Sequence, residues 1–155
     1  MLEKLDLVQA HEQILVSDTW DITSAVALGQ LCLERARTNE LPILIMVRHL
    51  GQTVFLAGLP GSSTLNENWA MRKIRLVEFF GKGSMLVRLE HEAGGISVYA
   101  KHSISEEKYA AVGGAIALRN STGVVGVLVV SGLDQFSDHM FCVDALTDFM
   151  VPDHL

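Results

Sequence analysis

Only two cysteines occur in the chain, Cys32 and Cys142, and no CxxC, CxxCH or zinc-type spacing is present. That excludes a disulfide framework and a cysteine-built metal centre. Charge is sparse as well: Asp, Glu, Lys and Arg make up 19% of the 155 residues, for a formal net charge of -6. The one basic cluster, Arg72, Lys73 and Arg75, is flanked by acidic residues, so nucleic-acid binding by phosphate neutralisation is not expected. No apolar run reaches the length of a membrane span, so no membrane partner is expected either. The opening MLEKLDLVQAHEQ is charged and lacks the apolar stretch of a signal peptide. With both cysteines free, a cytoplasmic location is the expectation. There is no GxGxxG and no P-loop, and Ser131 does not sit in a GxSxG elbow. His91 and His102 have no HExxH or HxH companion, so no metal site is assigned.

What the chain does have is apolar residues, 49% of the total. That is enough for one packed domain over residues 1–155, and the low charge leaves surface free for subunit contacts. Leu2, Leu5, Val8, Glu12 and Leu15 recur at helical steps and predict a helix over 2–16. Thr23 and Ser24 are suited to cap a second helix reaching Thr38. Residues 41–50 predict a strand, with Gly51-Gln52 as the turn into a hairpin partner over 53–59. Helices are expected over 65–80 and 85–92, while 96–112 fits either strand or helix. Two strands, 115–120 and 124–132, flank Ser121-Thr122-Gly123, and the second is apolar enough to be buried on both faces. The last helix is expected from Asp138 to about Met150, capped by Ser137, stapled by Phe136 and Phe141, and followed by Pro152. This order predicts an α+β fold, an antiparallel sheet flanked by helices.

Four polar residues fall on the apolar side of their helices. Arg72 and Lys73 lie within the arc of Leu65, Trp69, Leu76, Val77, Phe79 and Phe80. Asp138 and His139 lie beside Phe141, Cys142, Ala145 and Leu146. Long cationic stems can lie along apolar surface with their heads in water. The alternative is two cations aimed into a cleft, where they need a carboxylate or an anionic ligand. A helix cap accounts for Ser137 and Asp138, but not for His139, which can exchange a proton near neutral pH. Gly113, Gly114 and Gly132 border strands, where tight turns are the expected reason for glycine.

The pattern N-x-x-W-x-x-R-K is met by Asn66, Trp69, Arg72 and Lys73, and S-G-L-x-Q-x-x-D-H by Ser131 to His139. With Gly113-Gly114 ahead of a strand, these runs resemble the UPF0303 family. That family lies within the wider group whose domain is labelled haem-degrading, alongside the HbpS and GlcG proteins. The resemblance spans nearly the whole chain and implies a profilin-like α+β fold and assembly into homo-oligomers. Three positions depart from it: Val112 where members often carry a histidine before the glycines, Ala117 where they carry a proline, and Asp134 where a proline is common. The missing histidine weakens any haem or metal role that the resemblance implies.

Both lines converge on one cluster. The candidate ligand-binding residues are Trp69, Arg72, Lys73, Gly113, Gly114, Ser131, Asp138 and His139, with Arg72 expected to pair with Asp138. The expected function is binding of a small ligand, anionic in one reading, or of a partner, by an oligomeric protein. One alternative is haem binding or degradation, with His91, His102 or His139 as axial ligand. Another is a small enzyme for an anionic metabolite, with His139 as general acid or base and Arg72 and Lys73 as anion clamp. No catalytic residue and no cofactor is fixed by the sequence.

Overall fold

The computed structural model describes residues 2–14 and 16–151. The expected helical position of Leu15 and the Pro152 stop lie outside them. Six helices and four strands follow in the order α1 (Leu2–Ile14), α2 (Ile22–Thr38), β1 (Leu44–His49), β2 (Gln52–Gly58), α3 (Thr64–Phe80), α4 (Ser84–Gly94), α5 (Val98–His102), β3 (Ala115–Asn120), β4 (Gly123–Ser131) and α6 (Gln135–Met150). The strands form one antiparallel sheet in the order β2-β1-β4-β3, giving the α+β arrangement that the element order predicted.

Strand alternation sorts the core into two layers. Ile45 and Val47, Ile116 and Leu118, and Leu128 and Val130 face α2 and α6, where Leu28, Cys32, Cys142 and Leu146 meet them. Their neighbours Leu44, Met46, Ala115, Ala117, Val127 and Val129 face the opposite way, onto Ala70, Ile74 and Val77 of α3. The buried stripe of α3 therefore runs through Ala70, Lys73, Ile74 and Val77. The wider arc read from the sequence is too generous, since Leu65 and Phe79 are exposed.

Helix starts are governed by side chains just ahead of the expected ones. Asp21, not Thr23 or Ser24, caps α2, and Ser24 answers it in a capping box. Ser63 caps α3 in the same way with Asn66. Asp134 caps α6 by accepting from the Ser137 N–H at 2.9 Å and the Ser137 hydroxyl at 2.7 Å. The last helix thus begins three residues before the expected Asp138 start, and Ser137 is an interior partner rather than the cap. The ambiguous 96–112 stretch contains the short α5, and the rest of it is turn and extended chain.

α1 packs across α4 through Val8, Met85, Leu86 and Leu89. Its Glu12 accepts from the Arg119 guanidinium at 2.8 Å and from the Gly83 N–H at 3.0 Å, tying α1 to β3 and to the α3–α4 junction. Among the described residues, no helix is long and apolar enough to cross a membrane.

Candidate functional site

α3 carries Lys73 directly beneath the end of β4, and α6 carries Asp138 up to meet it. Lys73 Nζ donates to the Val130 carbonyl at 3.0 Å and to Asp138 Oδ2 at 3.2 Å, and the lysine and aspartate are each about 2% exposed. Asp138 also accepts the Leu133 N–H at 3.0 Å through Oδ1 and the Gly132 N–H at 3.4 Å through Oδ2. One carboxylate therefore serves the ammonium and the two amides of the β4–α6 turn. Burial pushes the Lys73 ammonium down from its ordinary range and the Asp138 carboxyl up, and each partner's charge pulls the other part of the way back.

The expected Arg72–Asp138 pair does not form. The Arg72 guanidinium lies 4.3 Å above the Trp69 ring and donates to the Glu106 carbonyl, at 3.0 Å from Nε. A helix turn of about 100° per residue separates the two cations, so only Lys73 reaches the interior.

Gly114 shows why this pair has room. It holds φ +128, and a Cβ there would stand 2.6 Å from Lys73 Nζ, 2.7 Å from the Val130 carbonyl oxygen and 2.9 Å from Asp138 Cβ. At Gly113 a Cβ would stand 2.3 Å from the Gln135 carbonyl oxygen. Close approach of neighbouring chain therefore demands both glycines, rather than the tight turns expected from the sequence.

Beside the pair lies a pocket of about 250 Å³, whose walls include Asn66, Trp69, Lys73, Ser131, Gln135 and Asp138. Asn66 spends its Oδ1 on the Ser63 N–H at 2.8 Å, and its Nδ2 stands 3.5 Å from Ser131 Oγ, the long limit for a hydrogen bond. Gln135 Oε1 accepts the Gly113 N–H at 3.1 Å, which joins α6 to the paired glycines. Asn66 and Gln135 belong to the two sequence motifs but were not among the candidate residues, and the motif positions themselves were the signal for them.

His139 is not part of this pocket. It is fully buried on another face of α6, with Nε2 3.0 Å from Nδ1 of His11 in α1. Its own Nδ1 meets no hydrogen-bonding partner among the described residues. Burial, with His11 adding to it, lowers His139 from 6.5 to about 4, and burial also lowers His11 against the opposing pull of Asp144 and Glu12. His139 is therefore a neutral imidazole at neutral pH. The His11 contact had no local signal in the sequence, because it joins residues from opposite ends of the chain.

The two cysteines are free and buried, and Cys142 donates to the Gly114 carbonyl at 3.3 Å. Burial pushes the Cys32 thiol up to about 12 and Cys142 up as well, so neither is a thiolate at neutral pH. Among the described residues, no group of three or more His, Cys, Asp or Glu side chains is placed to hold a metal ion.

A haem group would need an axial ligand on an open wall. No histidine, cysteine or methionine lines the polar pocket, and His139 is sealed. His91 and His102 line a different pocket, and their Nε2 atoms stand 3.2 Å apart.

A family model described as "Haem degrading protein HbpS-like" matches residues 21–147. A UPF0303 protein of Streptomyces avermitilis is 40% identical over 144 residues, covering 92% of this chain and 88% of that protein. Among solved structures, the Ybr137w protein aligns with a TM-score of 0.87 at 25% identity, covering 97% of this chain and 90% of that one. The protein in a structure described as a PduOC:Heme complex aligns with a TM-score of 0.70 at 18% identity, covering 83% and 93%. That last likeness is one of fold.

Proposed function

We propose that this chain, which belongs to the HbpS-like family and within it to the UPF0303 proteins, binds a small polar molecule in the pocket beside the Lys73–Asp138 pair. The observation that carries this reading is the unequal satisfaction of the pocket's polar groups. Asp138 accepts from Lys73, Leu133 and Gly132, whereas Asn66 Nδ2 and Ser131 Oγ, both in the pocket wall, meet only at 3.5 Å. A ligand that accepts from Asn66 and bonds Ser131 replaces one long contact with two good ones. Trp69 supplies an apolar wall, and the Arg72 guanidinium is stacked on its ring.

Asp138 already neutralises Lys73, so an anion clamp built on Lys73 is not part of the proposal. The anionic ligand class rests on Arg72 alone. The general acid or base of an enzymatic reading, His139, faces α1, and for that reason the reading is binding rather than catalysis. Haem finds no axial ligand in this pocket, and the haem descriptions belong to the family model and to the relative named above.

The test follows Trp69 fluorescence in a Trp20→Phe background, with carboxylates, amides and amino acids of up to about ten heavy atoms as probes. At least one probe is expected to give a saturable change. Asn66→Ala and Ser131→Ala are each expected to weaken it about tenfold, the worth of one hydrogen bond. If no probe saturates, or both variants bind as the parent does, the reading fails.

Assembly of this chain into a homo-oligomer is part of the same proposal. Support comes from large apolar side chains held in water by the single chain, with Leu50 73%, Leu65 71% and Phe79 52% exposed, together with a β2 edge that is largely uncovered. Light scattering at micromolar concentration is expected to give a mass at least twice the 16.9 kDa of one chain. A clean single-chain mass would remove this part of the proposal.

A further inference from the structure

α4 and α5 bring two histidines together, and neither lines the polar pocket. Nε2 of His91 lies 3.2 Å from Nε2 of His102, with ring centroids 5.3 Å apart and planes at 71°. His91 Nδ1 stands 2.7 Å from the Val87 carbonyl oxygen. A carbonyl can only accept, so Nδ1 carries the proton and Nε2 of neutral His91 presents its lone pair. His102 is held by an edge contact with Phe80, at 4.8 Å between centroids and 84° between planes. Each ring is thus fixed by something other than its partner.

From this geometry we propose that His91 and His102 form a two-nitrogen binding site for a late first-row divalent ion of the zinc or copper class. Two nitrogens at about 2.0–2.1 Å from one tetrahedral ion are about 3.3 Å apart. The observed 3.2 Å matches that spacing. The Val87 carbonyl on His91 Nδ1 is the kind of outer hydrogen bond that fixes the tautomer and orientation of a metal-bound histidine. Imidazole pairs suit zinc, copper and nickel rather than magnesium or calcium.

The site is open. The two rings border a pocket of about 440 Å³, which leaves the remaining coordination positions to water or a small ligand. The nearby Lys82 is already paired with Glu90, at 3.0 and 3.2 Å from its two carboxylate oxygens, and Lys101 is exposed. Burial, His91 and Lys101 hold His102 below its ordinary value. The adjacent placement suits a bare ion.

The experiment uses the full chain without an affinity tag, with Cu²⁺ as the spectroscopic probe at pH 7.5 and Zn²⁺ as competitor. One equivalent of copper is expected to show electron paramagnetic resonance couplings from two imidazole nitrogens, and zinc is expected to displace it. His91→Gln and His102→Gln are each expected to lose one of the two couplings. Each should also weaken binding by at least the roughly 10–100-fold that loss of a supporting group costs at such sites. His49→Gln, on β1, is expected to leave both readouts unchanged. Near-UV circular dichroism confirms that each variant is folded. If the His91→Gln/His102→Gln double variant binds copper as tightly as the parent, or if the parent's couplings persist in it, the pair is only a hydrogen bond and the site does not exist.

Discussion

Asp138→Ala is expected to lower folding stability by about 3–5 kcal/mol, the typical consequence of leaving one member of a buried ion pair without its partner. Three groups are stranded by this change: the Lys73 ammonium and the N–H groups of Leu133 and Gly132. For a chain of this length the loss corresponds to a fall in Tm of roughly 6–20 °C. Lys73→Met alone leaves the Asp138 carboxylate buried with only the turn amides and should rank close behind. The double variant Lys73→Met/Asp138→Leu should be more stable than either single variant, because no charge then remains in the interior. It should still fall short of the parent, since the Val130 carbonyl and the two turn amides lose their partners. Urea denaturation at pH 7 without ligand measures all four proteins. A loss below about 1 kcal/mol for Asp138→Ala would show that the pair does not organise the fold in this way.

Acid should act through the other polar contact of α6. His139 titrates near 4 in the folded protein and at its ordinary 6.5 when unfolded. Between those values the unfolded chain binds more protons, so folding weakens as pH falls. The stabilisation that comes from keeping this imidazole neutral is fully present above about pH 6.5 and is lost as pH falls to about 4. At 1.36 kcal/mol for each pH unit, the loss is about 3 kcal/mol. His11 acts in the same direction, since burial also holds it down. Carboxylates titrate at the lower end of the same range, so the readout is a difference. Over pH 7, 5.5 and 4.5 the parent should lose stability more steeply than His139→Phe as pH falls. Parallel curves would exclude His139 as the source of the acid sensitivity.

Local chemistry carried most of the secondary structure. The α3 boundaries, the β3–β4 hairpin and the apolar face of α6 follow from periodicity and turn residues that act over a few positions. The helix starts were read late for a specific reason: Asp21 and Asp134 outcompete the serines that follow them, and those serines become their answering partners. At the site, sequence alone pointed to Lys73 and Asp138 as inward-facing, because a charge on an apolar helical face is conspicuous. It did not separate Lys73 from Arg72, since both adjoin the same arc and only three-dimensional packing decides which one reaches the sheet. Gly113 and Gly114 were visible as glycines but not as contact points, because the atoms that exclude a side chain come from α3, α4, β4 and α6. His11 was beyond reach altogether, being linked to His139 only through the packing of α1.

That packing of α1 bears on where the structural unit starts. The family pattern begins at residue 21, after α1 has ended, yet α1 supplies His11 to the buried imidazole of α6 and Glu12 to Arg119 and Gly83. The span matched by the family model therefore leaves out a helix that packs on the rest of this chain. A protein trimmed to the matched span would keep both sequence motifs and lose the helix whose His11 meets the buried imidazole of His139.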